Sequence, residues 1–235
     1  MVISFSILDA SIEKEVAIVD GANLALTKMR DARLRRIDPV DKFVQSKLAW
    51  KLATLRQPLL YRVVALAESF ATSWNVQNLV GSYLSARALI ETAALLLELH
   101  RELDQHLRAR DLAAIDALLM NRLFATRDPD WIDEHPEAKA TNILTLIDRL
   151  DKRDLEGIRD HYDLMSEVCH PNSLGHRLAF GKFDGETGST TYLDGGWQPS
   201  YLSSLFATMV LILILEDIFE ALEIQIREIS LLQTK

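Results

Sequence analysis

The segment 80–108 constrains this chain more than any other. On a helix turning 100° per residue, Arg87, Glu91, Ala94, Glu98, Arg101 and Gln105 fall within about 40° of one line. Most other positions there are apolar or small, among them Leu84, Ala88, Leu89, Ile90, Ala93, Leu95, Leu96, Leu97 and Leu99. A helix that is apolar on all but one narrow stripe has to be packed on several sides. The segment therefore predicts a central helix surrounded by others.

The rest of the chain supplies them. Residues 9–36 form a first helical stretch, broken at Asp38-Pro39, because Pro39 lacks an N–H and pushes Asp38 out of helical geometry. Residues 40–56 resume the helical period, and Pro58 suits the first turn of a separate helix over 58–74. Shorter helices are expected over 112–123, 140–151 and 155–169, the last ended by Pro171. Residues 125–138, rich in turn formers, read as a loop. β-prone runs over 177–183 and 190–193 flank Asp184 to Gly188 and read as a hairpin, closed by Gly195, Gly196 and Pro199. A last helix over 200–232 carries Leu202, Leu205, Met209, Ile212, Leu215 and Phe219 in near-helical register. The expected fold is all-α: an antiparallel helical bundle with a small β-hairpin inserted before the C-terminal helix. All 235 residues are expected in a single helical domain, with 1–40 as a peripheral N-terminal helix and 80–232 as the core bundle.

Compartment and partners follow from composition. Cys169 is the single cysteine, which suits a reducing environment. The first 20 residues carry Asp9, Glu13 and Glu15 where a signal peptide needs a basic start and an apolar stretch. The longest apolar run, 205–215, is short for a bilayer and is followed at once by Glu216 and Asp217. A cytoplasmic protein with no membrane partner is expected. The net charge of −8 argues against a surface that coats nucleic acid. The segment from Lys28 to Arg62, however, holds ten cations against Asp31, Asp38 and Asp41. That basic segment suits RNA or another phosphate-bearing ligand; it equally suits docking of basic helices against acidic ones within the molecule.

The chemistry-bearing residues concentrate between Tyr162 and Asn172. Asp163, Ser166, Glu167 and His170 lie at i, i+3, i+4 and i+7, on one helical face. His170 falls at the helix end where unpaired carbonyls gather, a place for an acid or an anion-binding group. Capping by His170 and Asn172 is the structural alternative. Glu167-x-x-His170 also has the spacing of di-iron carboxylate bundles, with Glu91 available from another helix. Those sites need two such motifs, and this chain has one; His161, His170 and His176 lack tight ligand spacing. No metal and no cofactor are expected. Cys169 reads as a small buried residue.

These residues carry a resemblance. Arg87-x-x-x-Glu91, then Asn142-Ile-Leu-Thr145-Leu-Ile147-Asp148, then Tyr162-x-x-Met165-Ser166-Glu167-x-x-His170-Pro171-Asn172 resemble a family of uncharacterised bacterial all-helical proteins. That family carries Leu where this chain has Met165, and the resemblance spans about residues 80–180. The arrangement looks distantly similar to HEPN domains. The resemblance implies an RNA-directed or phage-defence-associated protein, and RNA binding with metal-independent ribonuclease activity. The Arg-to-His spacing of HEPN nucleases does not end at His170. Arg101 to His106 nearly has it, but lies mid-helix with its side chains about 140° apart.

For RNA cleavage a base or acid is needed near the 2′-oxygen and a cation beside the phosphate. His170, Arg87, Glu91 and Asn172 are the expected catalytic group, with Glu91 orienting Arg87. Tyr162, Ser166 and Arg177 are the expected substrate-binding group. The alternative is a non-catalytic helical interaction or regulatory module, possibly a homodimer, in which Arg87 and Glu91 form an ordinary i,i+4 ion pair bracing the bundle.

Overall fold

The computed structural model describes residues 3–8, 12–39, 46–192 and 199–233. Its helices are α1 (Glu13–Asp31), α2 (Lys47–Asn75), α3 (Leu79–Ala109), α4 (Leu112–Phe124), α5 (Pro129–Glu134), α6 (Ile143–Arg153), α7 (Ile158–Cys169), α8 (Ser173–Phe180) and α9 (Pro199–Gln233). A single antiparallel hairpin, β1 (Gly181–Phe183) with β2 (Thr190–Tyr192), precedes α9. The fold is all-α with that one small hairpin.

α3 is central, as its apolar circumference requires: it packs against α2, α4, α6, α7 and α9. Its ends are set locally. The Asn78 side chain accepts from Gly81 N to start it, and Arg110 in a left-handed conformation ends it. The polar stripe faces α6 and α7. Glu98, 6% exposed, meets Arg149 Nη1 at 2.5 Å, Arg101 Nη1 at 2.9 Å and Arg153 Nη1 at 3.5 Å. A carboxylate so buried has to be paired, and Arg149 and Arg153 fasten α3 to α6.

Helix α1 is an integral member of the bundle, not the peripheral helix expected. Val19, Ala22, Ala25, Leu26 and Met29 are buried in the same apolar cluster as α3 and α9. The chain ahead of it is laced down by two asparagines. Asn23 Oδ1 accepts from Phe5 N at 2.7 Å while its Nδ2 donates to Phe5 O at 3.0 Å. Asn75 Oδ1 accepts from Ser6 N at 2.8 Å while its Nδ2 donates to Ser4 O at 2.8 Å. Beneath this segment Phe5, Phe70, Trp74 and Phe206 make a run of edge-to-face contacts.

Three expectations are corrected. The break at Pro58 does not exist: α2 is one helix, with Pro58 inside it. Pro58 costs the Thr54 carbonyl its intrahelical donor, but it lies on the exposed side, where water can reach that carbonyl. Leu52, Leu55, Leu60, Val63 and Val64, all buried, hold the helix continuous across it. Its expected start over 40–45 lies outside the described residues. The loop 125–138 contains a short helix, because Asp128 caps it through bonds from Asp130 N and Trp131 N and Pro129 takes the first position. Residues 177–180 belong to α8 and not to a strand, because Asn172 caps a helix there. The glycines at 195 and 196 lie outside the described residues.

The hairpin closes through the Asp184 carboxylate, which accepts from Glu186 N and Thr187 N, and Gly188 takes a positive φ of 68°. Its aromatic side chains Phe183 and Tyr192 are exposed. α3 and α9 are each long and apolar enough to cross a bilayer. In this bundle Leu205, Met209, Leu211, Ile212 and Leu215 are buried core residues.

Candidate anion-binding cavity

A cavity of about 880 Å³ opens between α2, α3, α4, α6 and α7. α2 and α3 form an antiparallel pair, fixed across the cavity by Arg62 Nε donating to Thr92 Oγ1 at 3.1 Å. Stepping along both helices by three or four residues brings Leu59 level with Leu95 and Leu55 level with Leu99. These four leucines line the cavity together with Ile143, Leu144 and Leu146 from α6.

Polar groups stand at its two ends. At the α7 end, Arg87 Nε donates to Tyr162 Oη at 3.3 Å, and Tyr162 Oη donates to Glu91 Oε1 at 3.0 Å. The Arg87 guanidinium also lies over the Tyr162 ring, 5.2 Å from its centroid. Partly buried charge in the α3 stripe thus finds its partner on α7. Ser166 and His170 line the same end, with Arg159 and Asp163. His170 is the first residue beyond α7; its backbone leaves helical geometry while its N–H still reaches Ser166 O. Its ring is exposed to solvent, as the residue as a whole is.

At the α4 end stand Arg122 and Arg127 with Thr141 and Asn142. The segment after α4 is drawn back towards α6 by Thr126 N donating to Ala138 O at 2.8 Å and Ala140 N donating to Thr126 O at 2.9 Å. Arg127 is thereby set at the rim. Arg122 is deeper, its side chain 9% exposed, and pairs with Glu102 at 2.8 Å.

Of the residues singled out in the sequence, Arg87, Glu91, Tyr162, Ser166 and His170 come together on this cavity. Asn172 and Arg177 do not line it. Asn172 serves as a cap, its Oδ1 accepting from Gly175 N at 2.6 Å and its Nδ2 donating to Glu167 Oε1 at 2.8 Å. Arg177 is exposed on the last turn of α8. Arg62, Arg122, Arg127 and Arg159 were not grouped with the site from sequence.

The basic segment is largely engaged within the molecule. Lys28 pairs with Glu216, Arg30 with Glu68, Arg36 with Asp38, Lys51 with Asp116 and Arg56 with Glu223. Four of these partners lie outside the segment, on α2, α4 and α9, so basic helices dock on acidic groups. Lys42 lies outside the described residues. Within the segment, Arg62 is the residue that reaches the cavity.

The lining holds five arginines against two carboxylates, Glu91 and Asp163, in a protein whose net charge is −8. Arg87 and Arg159 are matched by Glu91, Asp163 and Asp148. Arg62 and Arg127 make no ion pair among the described residues. Two lining atoms, Arg122 Nε and Ser166 Oγ, are buried without a hydrogen-bond partner among the described residues. Buried polar groups are seldom left so.

Cys169 adjoins this site without sharing its chemistry. Burial pushes its thiol up to about 11, although the nearby Arg87 pulls the other way. Since the thiolate is the reactive form, alkylation of Cys169 in the folded protein at pH 8 is expected to run about 100-fold slower than that of a free thiol. It should accelerate steeply towards pH 11. Rapid stoichiometric labelling at pH 7 would contradict this.

No protein-family model matches this chain, and neither the curated proteins nor the solved structures searched contain a match.

Proposed function

We propose that this chain binds a phosphate-bearing ligand in the cavity between α2, α3, α4, α6 and α7. One observation carries the reading: an excess of arginine gathered around one cavity of an acidic protein. The guanidinium groups of Arg62 and Arg127, without an ion partner among the described residues, suit phosphate oxygens.

The HEPN-like resemblance gives the finer form of the proposal, an RNA-directed and defence-associated protein acting as a metal-independent ribonuclease. In that form His170 acts as base or acid at the 2′-oxygen, and Arg87, oriented by Glu91 and Tyr162, stands beside the phosphate.

The test is a titration of the purified protein with inorganic phosphate and with labelled single-stranded RNA at two salt concentrations, with cleavage assayed in chelator. Binding is expected, weakening as salt rises, and Arg127→Ala should weaken it without unfolding the protein. Cleavage lost in a still-folded His170→Ala variant would support the ribonuclease; cleavage unchanged in that variant, or none in the parent, would remove it. No binding of either anion at low salt would overturn the proposal. It would favour the alternative interaction or regulatory module, for which the exposed Phe183 and Tyr192 of the hairpin offer a surface.

A further inference from the structure

The interior of the cavity restricts which phosphate-bearing ligand it can hold. Between its two polar ends the surface is aliphatic: Leu55, Leu59, Leu95, Leu99, Ile143 and Leu146. The leucines of α2 and α3 sit within long helices, where, apart from the Thr54 carbonyl opposite Pro58, backbone N–H and C=O groups are bonded to one another. Arg62 and Thr92 border this stretch, and the Thr92 hydroxyl is engaged, donating to Ala88 O at 2.7 Å and accepting from Arg62. The aliphatic side chains of the stretch itself offer no partner to the edge of a nucleobase. Burying that edge unpaired is costly.

Stacking is equally poorly provided for. Strand-binding proteins lay successive bases on aromatic side chains. Apart from His170 at the rim, Tyr162 is the sole aromatic among the described lining residues. One face of its ring is covered by Arg87. An aliphatic chain has neither requirement and gains from each methylene it buries there.

The two ends differ in charge balance, which places the head. Arg87 and Arg159 at the α7 end already face Glu91, Asp163 and Asp148. At the α4 end Arg127 has no ion partner among the described residues. Arg122 there pairs with Glu102, and its Nε has no hydrogen-bond partner among the described residues, on a side chain 9% exposed. The α3 axis from Leu99 back to Arg87 spans about 18 Å, so the leucine stretch has room for a chain.

Building on the reading of the cavity as an anion site, and in place of its ribonuclease form, we infer that its ligand is an amphiphile: a phosphate head on Arg122 and Arg127, with an aliphatic chain lying along the leucines towards α7. The head, ester or free acid, is recognised through its phosphate oxygens; the chain is what separates this ligand from a nucleotide or an RNA strand.

The experiment is calorimetric titration of the full chain with n-alkyl phosphates of increasing length, kept below their aggregation limit, alongside inorganic phosphate, adenosine monophosphate and a single-stranded oligoribonucleotide. Affinity is expected to rise by up to about fourfold per added methylene and to exceed that of adenosine monophosphate. The partly exposed Leu95 allows Leu95→Gln, which should flatten the chain-length dependence. Arg127→Ala should weaken every alkyl phosphate. Phosphate or RNA bound with no chain-length dependence would overturn the amphiphile and keep the anion site. Chain-length dependence that survives Leu95→Gln would place the chain elsewhere and also overturn it. No binding of any probe at low salt would remove the anion site itself.

Discussion

Replacing Trp74 by alanine is expected to lower the stability of the folded protein by about 3–5 kcal/mol. Trp74 is fully buried. Its ring meets Phe206 edge-on at 5.6 Å and Phe70 at 6.4 Å, and its Nε1 donates to Ser6 O at 2.8 Å. Truncation would leave a cavity that helices α2 and α9 cannot both close, and would release the segment 3–8 from the surface it covers. In a chain of this length the midpoint of thermal unfolding should fall by about 10 °C. Trp74→Phe, which keeps most of the ring area and loses the indole donor, should cost less than half as much. Urea unfolding of the two variants decides the matter; a loss under 1 kcal/mol for Trp74→Ala would contradict the packing described.

The second large effect is electrostatic. Lys51 on α2 is 7% exposed and its ammonium pairs with Asp116 of α4. The Lys51 ammonium is buried while the Asp116 side chain is 47% exposed, so water reaches one side of the pair; removing Asp116 leaves the ammonium without its partner, whereas removing both replaces the pair with apolar contact. Asp116→Ala is therefore expected to destabilise by about 1–3 kcal/mol. The double variant Lys51→Met with Asp116→Ala should recover most of that loss. A double variant no more stable than the single one would show that Lys51 reaches water unaided.

What could be read from sequence divides along a physical line. The central helix was legible because its own periodicity states that it is surrounded. Arg87 and Glu91 on α3, and Tyr162, Ser166 and His170 on α7, were legible as faces because helical spacing is local. That these faces meet follows from one further argument, that a buried charged stripe needs polar partners. Pro58 misled because a local breaker was outweighed by core residues on both sides of it. Arg127 was hidden because its place depends on how the segment 125–140 folds back.

Arg122 did leave a signal. It continues the line of Ile115 and Leu119 at i, i+4 and i+7, and both of those are fully buried. A cation on the buried face of a short apolar helix marks a site that needs an anion, which Glu102 supplies in part. The amphiphile inference had no counterpart in the sequence, since the leucines concerned read only as core. Their role depends on the space that α2, α3, α4 and α6 leave between them.

The lacing of residues 4–6 by Asn23 and Asn75 bears on how this protein tolerates change. Each asparagine grips peptide groups, accepting from an N–H and donating to a carbonyl, so it is indifferent to the side chains it passes. Ser4 and Ser6 offer only backbone to those grips, and substitutions there, proline at position 6 excepted because its N–H is required, should be neutral. The two asparagines have no such latitude, since neither aspartate nor leucine can both give and take. Among descendants of this chain the residues at 4 and 6 would drift freely while those at 23 and 75 stayed fixed. A strap that varies in composition but keeps its path would be the visible trace.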